Sequence, residues 1–494
     1  MGPNSRLKLG ALSATLAILL VSVPIHDDTE YALKSETKSA ETSSGNSLID
    51  APTWRINDRW VYSGELDVYD FIVDSGVSTN VNTLTGTLDV QVESINLVDV
   101  GGIQTLAYTV AGTGDYRADN VQLEGQNGDV VVEMDTTSII RISDMAVISQ
   151  TATIDIEFDP AFGWICFFIS CDIASITASN EYWPPLERHD FPLSVGDTWV
   201  NNYTVNTTYS GSSSYVTIPQ STSDQVETTS TVVQAGYPGV SQSGCSVSYN
   251  VTATDVNGSL VGYGWHCDSM KNDVVTLNEV TLGLMARHEI DYSTLSPRPY
   301  FIDVEPMYPL APFDFTSPIW VNVSNANGAP IADQEIEFRY DPTGEVQTLT
   351  TGSNGSAFTT LNYGLRGDES SVDGEHGSHG IVARIPNTDH MGISTITLDP
   401  DIYEVDLKIE SSSISIQRNR SGEIQSITAP FNAVPGDLMT MTVPIINEGL
   451  RTSPGGTLTS QASQGAIGVL PFPPLSSMES HTAQFQWLVP ESTG

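Results

Sequence analysis

Past its first stretch, the chain is written in short alternating segments. Leu88, Val90 and Val92 alternate with Asp89 and Gln91, and Ile154, Ile156 and Phe158 with Asp155 and Glu157. Ile336, Phe338 and Tyr340 repeat the pattern, and Tyr403, Val405, Leu407 and Ile409 alternate with charged residues. A period of two with polar partners means strands that bury one face. No stretch beyond the leader sustains a helical stripe for three turns. The expected fold is all-β: tandem antiparallel β-sandwich or β-sheet domains after an N-terminal signal or anchor. At 494 residues and 53.1 kDa the chain exceeds one ordinary domain.

The one long apolar run lies at the start. Arg6 and Lys8 precede Leu9–Val23, which ends at Pro24. A basic start followed by an apolar core of this length is a secretory signal, assigned to 1–25, with an uncleaved membrane anchor as the alternative. Such a run spans about 22 Å as a helix, short of the ~30 Å hydrocarbon core. Residues 26–50 are polar and aperiodic, which predicts a flexible linker.

Two openings look alike. Asn57-Asp58 stands just before Trp60, and Gly196-Asp197 just before Trp199. In each, turn residues lead into a strand anchored by its Trp. The repeat divides the first half into β domain 1 (51–187) and β domain 2 (188–297). These openings resemble the first strand of several exported β-domain families of unassigned function.

The second half carries two further resemblances. Gly328–Ile331, Glu335–Tyr340 and Thr351–Thr360 supply a turn, a strand and a final turn-strand. On these, 298–400 resembles bacterial group 1 immunoglobulin-like domains and the related carboxypeptidase-regulatory-like type, which implies a spacer sandwich without catalytic residues. Gly436, Met439, Met441, Val443, Ile445, Asn447 and Gly449, with Leu475, Phe485 and Trp487 later, give 401–494 a resemblance to the CARDB (cell-adhesion-related) domain. That family continues past the point where Gly494 stops, so an incomplete sandwich of a longer protein is expected.

Charge narrows the partners. Asp and Glu number 60 against 19 Lys and Arg, a formal charge of -41. Nucleic acid is excluded as a partner, since its binders neutralise phosphates with cations. Anionic lipid is disfavoured for the same reason. High salt would relieve the self-repulsion, which suits a saline medium. Ser (55) and Thr (49) fit strands and turns.

Cys166, Cys171, Cys245 and Cys267 form an even set without zinc spacing, read as two disulfides with the local pairing favoured over the two alternatives. Sequons at Asn202, Asn206, Asn250, Asn257, Asn322, Asn354 and Asn419 are glycosylation candidates. Phe162–Ile173, apolar between two cysteines, reads as a buried strand or as a docking tip.

Catalytic motifs are missing: there is no Gly-x-Ser-x-Gly, HExxH or Walker A loop, and no enzyme is expected. The best metal candidate is His376 and His379 with Asp373 and Glu375, in a Gly-rich stretch at 366–390. Imidazoles there would suit Zn²⁺ and the carboxylates Ca²⁺, whereas the plainer reading is an exposed polar loop with no cofactor. The expected function is an exported cell-surface protein of structural or adhesive role. Its partners would be envelope components or glycans, and it would meet the membrane only through the N-terminal segment or a missing C-terminal anchor. The alternatives are the non-catalytic region of a secreted hydrolase, or a glycan- or Ca-binding surface module.

Overall fold

The computed structural model describes residues 49–489 apart from short internal stretches, the longest being 72–77, 162–170, 237–243, 368–375 and 399–406. The leader, nearly all of the 26–50 linker and most of the apolar Phe162–Ile173 stretch lie outside the described residues. The fold is all-β. It divides into two compact units, one formed mainly by residues up to 397 and one mainly by 398–494.

The first unit holds a closed barrel of twelve antiparallel strands. In chain order they are β1 (Arg59–Asp67), β2 (Thr83–Val100), β3 (Ile103–Leu123), β4 (Gln126–Arg141), β5 (Val147–Pro160) and β6 (Asp172–Leu186). There follow β7 (Thr198–Ser213), β8 (Ser221–Gly236), β9 (Ser248–Asp255), β10 (Leu260–Cys267), β11 (Asn272–Thr281) and β12 (Leu284–Thr294). Each strand pairs with the next, and β1 closes on β12 from Arg59↔Thr294 to Asp67↔Met285. The inward positions are the apolar ones of the sequence pattern: Ile154, Ile156 and Phe158 on β5 are buried while Glu157 is exposed. Trp60, Tyr62, Tyr108 and Phe191 pack in one core cluster, and Leu66, Tyr116, Ile154 and Phe158 in another.

The expected boundary at 187/188 falls between β6 and β7, which pair from Ala174↔Ser213 to Trp183↔Thr204. Residues 51–187 and 188–297 are therefore two halves of one closed sheet, not two separately closed domains or sandwiches. The repeat survives as local geometry. Asn57 (φ 71°) and Gly196 (φ 102°) take the same left-handed turn. Asn57 and Gly196 donate their N–H to Val92 O and Val232 O, and Val92 and Val232 donate back to Asp58 O and Asp197 O. Each turn thus hooks the second strand of its own half, β2 or β8.

In the same unit, Tyr300–Pro306, Phe315–Asn325 and Ser356–Tyr363 make a three-stranded sheet. Glu335–Tyr340, Glu345–Thr350, His376–Arg384 and Met391–Leu398 belong to a second sheet. Ile319, Val321, Leu361, Ile336, Phe338 and Ile396 are fully buried. Backbone meets backbone where this region touches the barrel: a Cβ on Gly380 would lie 1.6 Å from Ser143 O, so no side chain fits there.

The second unit centres on Leu438–Asn447, which pairs with Ser480–Leu488, Ser415–Arg420 and Leu407–Lys408. Val443, Ala483 and Phe485 form one small core, and Ile445, Phe472 and Leu475 another. Buried Asn447 closes the central strand, donating Nδ2–H to Leu475 O (2.9 Å) and accepting from Gly449 N (3.2 Å).

Candidate metal centre

The β10–β11 hairpin sets His266 directly opposite Asp273. Lys271 turns the chain at φ 58°, and its ammonium pairs with Asp268 at 2.6 Å. The hairpin tip is held from several sides. Trp60 Nε1–H donates to Met270 O (2.8 Å), Trp54 Nε1–H to Lys271 O, and Tyr62 O–H to Asp273 O (3.0 Å). Cys267 is bonded to Cys245. A Cβ on Gly264 would meet Asp273 Oδ2 at 2.4 Å, so the absence of a side chain there leaves room for the carboxylate.

His189 arrives from the segment between β6 and β7. Its Nε2 lies 3.2 Å from Asp273 Oδ1, and His266 Nδ1 lies 3.2 Å from the same oxygen. The two imidazoles are 5.1 Å apart, with Phe191 stacked on His189 at 5.6 Å and edge-on to His266 at 5.4 Å. The side chains of His189, His266 and Asp273 are 14%, 4% and 17% exposed. His266 Nε2 is buried without a hydrogen-bond partner. Burial pushes His266 below the usual histidine range, against the opposing pull of Asp273. Burial alone would raise the Asp273 carboxyl, but His189 and the hydrogen bonds from both imidazoles hold it well below its usual range. Among the described residues this is the group of His, Cys, Asp and Glu side chains whose donor atoms converge, all within 4.8 Å of one another.

A second polar cluster joins the barrel to the smaller sheets of the same unit. Asp144 pairs with Arg141 (2.6 Å) and Arg366. Glu187 Oε1 accepts from Ser378 N (3.0 Å), Ser378 Oγ contacts Asp190 Oδ1 (3.0 Å), and Thr105 Oγ1–H donates to Asp341. Burial, with Asp190 and Asp144 nearby, pushes the Glu187 carboxyl well above its usual range. Inside the barrel, Tyr116 O–H meets His288 Nε2 at 2.5 Å, and burial drives His288 down to about 4.

Of the metal residues expected from sequence, His376 and His379 fall on one strand. His379 is fully buried within the strand that begins at His376, while Asp373 and Glu375 lie outside the described residues. The described part of 366–390 is not an exposed loop: Arg366 enters the Asp144 ion pair, and Asp389 binds Arg55 Nη2 at 2.8 Å. Cys245–Cys267 is the expected local disulfide; Cys171 is also disulfide-bonded, and Cys166 lies outside the described residues. Asn202, Asn206, Asn257 and Asn354 are exposed, whereas Asn250, Asn322 and Asn419 are half-buried. Sequence reading missed His189, His266 and Asp273 because His189 is remote in the chain. The local hint was the inward alternation Gly262-x-Gly264-x-His266 beside a cysteine.

No protein-family model matches the chain, and no curated protein matches it. Among solved structures, it is similar to a β-barrel-like protein of the domain of unknown function DUF1849 from Brucella abortus, over 50% of this chain and 100% of that one, with 11% identity and a TM-score of 0.26.

Proposed function

We propose that this is an exported, non-catalytic protein that presents a water-facing β-barrel and further β modules at the outside of the cell, in a structural or adhesive role. The observation that carries this reading is cysteine oxidation. Cys171, Cys245 and Cys267 are all disulfide-bonded, and such bonds persist where the surroundings are oxidising.

The barrel exterior supports it. Outward positions pair hydroxyls across strands: Thr151 with Ser179 and Thr153 with Thr177 at 3.1 Å, and Thr198 with Thr231 at 3.2 Å. On β7 and β8, Ser223 donates to Asn206 (2.7 Å) and Gln225 to Asn202 (3.3 Å). A lipid-facing barrel carries an apolar band on this side, whereas these outward positions are Ser, Thr, Asn and Gln, with Val200 exposed among them. The same face presents the exposed sequons Asn202 and Asn206 to any glycosylating machinery.

An antibody against the barrel, applied to intact cells producing the full-length chain, tests the proposal. Staining of unbroken cells, or the protein in the medium, is expected; staining only after lysis contradicts it.

A further inference from the structure

We infer that His189, His266 and Asp273 form a binding site for one divalent transition ion, best matched by Zn²⁺, which clamps the segment leading into β7 to the β10–β11 hairpin. This goes beyond the proposed role and does not depend on it.

Donor chemistry comes first. Two imidazole nitrogens and one carboxylate oxygen are donors that Zn²⁺ favours. Ca²⁺ demands six to eight oxygens, and this cluster offers one carboxylate. Geometry agrees. With Zn–N and Zn–O bonds of about 2.0–2.1 Å, the edge of a tetrahedron is about 3.3–3.4 Å. Both nitrogens already stand 3.2 Å from the same Oδ1. Charge-assisted hydrogen bonds are typically shorter, about 2.7–2.9 Å, so the spacing fits coordination better than a tight ion-paired triad.

The site is also supported and reachable. The Cys245–Cys267 bond lies next to His266, Gly264 makes room for the carboxylate, and Phe191 fixes both rings by contact. His266 is nearly closed off while His189 and Asp273 keep some exposure, which gives an ion a way in and leaves a fourth position for water. The ion would tie the connection between the sixth and seventh strands, which carries His189, to the hairpin of the tenth and eleventh strands, which carries the other two ligands.

The test uses the full-length chain stripped of metal, titrated with Zn²⁺ in millimolar Mg²⁺ to saturate the acidic surface. Calorimetry should give one ion per chain, with a rise in melting temperature. Co²⁺ in its place should show the intense visible band of a four-coordinate ion. H189Q and H266Q should each weaken binding by more than about 100-fold, beyond the 10–100-fold typical of residues that only orient a ligand. H390Q should bind as the parent does. If H266Q fails to fold, the more exposed H189Q carries the comparison, and the Co²⁺ spectrum of the parent needs no variant. No stoichiometric uptake, a six-coordinate Co²⁺ spectrum, or full binding in H189Q would overturn the inference.

Discussion

Asp58 and Asp197 hold the same place in the two halves of the barrel and do unequal work. Asp58 is fully buried, accepts from Arg55 N (2.8 Å) and Ser296 N (2.6 Å), and lies 3.3 Å from Arg298. Half-buried Asp197 accepts from Ser194 N (2.6 Å). Removing Asp58 strips the Arg55 and Ser296 N–H groups of their acceptor and Arg298 of its ion pair, leaving Arg298 its bonds to Thr53, so D58A should cost about 3 kcal/mol in urea unfolding, and D197A about 1 kcal/mol. Glu187 behaves in the opposite sense to a paired carboxylate. Its folded-state affinity for the proton is raised, so its contribution is fully present below the usual carboxylate range and is lost as pH rises. E187Q keeps an acceptor for Ser378 N and carries no charge. It should melt above the parent at pH 8, with the gap closing toward pH 4 in a series of melting curves. At this scale the Trp anchors were legible, because a turn pair before Trp is a local signal. The His189–His266–Asp273 cluster was not, since only barrel closure brings its members together.

The β10–β11 hairpin shows what an element adds. Its tip is fastened by two indole hydrogen bonds and by a disulfide closing a sequence separation of 22 residues. Loop-closure entropy gives that bridge about 3 kcal/mol, so the C245A/C267A double variant should lose about that much in urea unfolding without losing its β circular-dichroism signature. Strand existence was readable from period two: Leu88 to Val92, Ile154 to Phe158 and Ile336 to Tyr340 all lie in strands whose alternate residues face inward. Within the described part of 366–390, Gly and His are turn-like in composition, whereas in the fold His379 and Ser378 are buried strand residues. Gly380 belongs there for its close approach to Ser143, and composition cannot report a neighbour so distant in sequence.

For the whole molecule, the sequence showed strand after strand but not which edge meets which. The 59–294 region closes through β1–β12 pairing between residues more than two hundred positions apart, a contact that no local pattern encodes. The repeat suggested two domains because each half begins with the same hook; the hook opens a half-barrel. Charge also acts at this scale. With 60 acids against 19 Lys and Arg, unscreened repulsion opposes the folded state. The melting temperature should therefore rise between 0.05 and 1 M NaCl, as the Debye length contracts to about 3 Å. No rise over that range would show that the local ion pairs already offset the excess charge.

An oxidised barrel outside the cell underlies the functional reading, and the state of the four cysteines in protein taken from its own cells tests it most directly. Thiol alkylation before and after reduction, read by intact mass, should show no free thiol as isolated and four after reduction, in protein recovered from the envelope or the medium. Four thiols free as isolated, in protein recovered from the cell interior, would contradict the account.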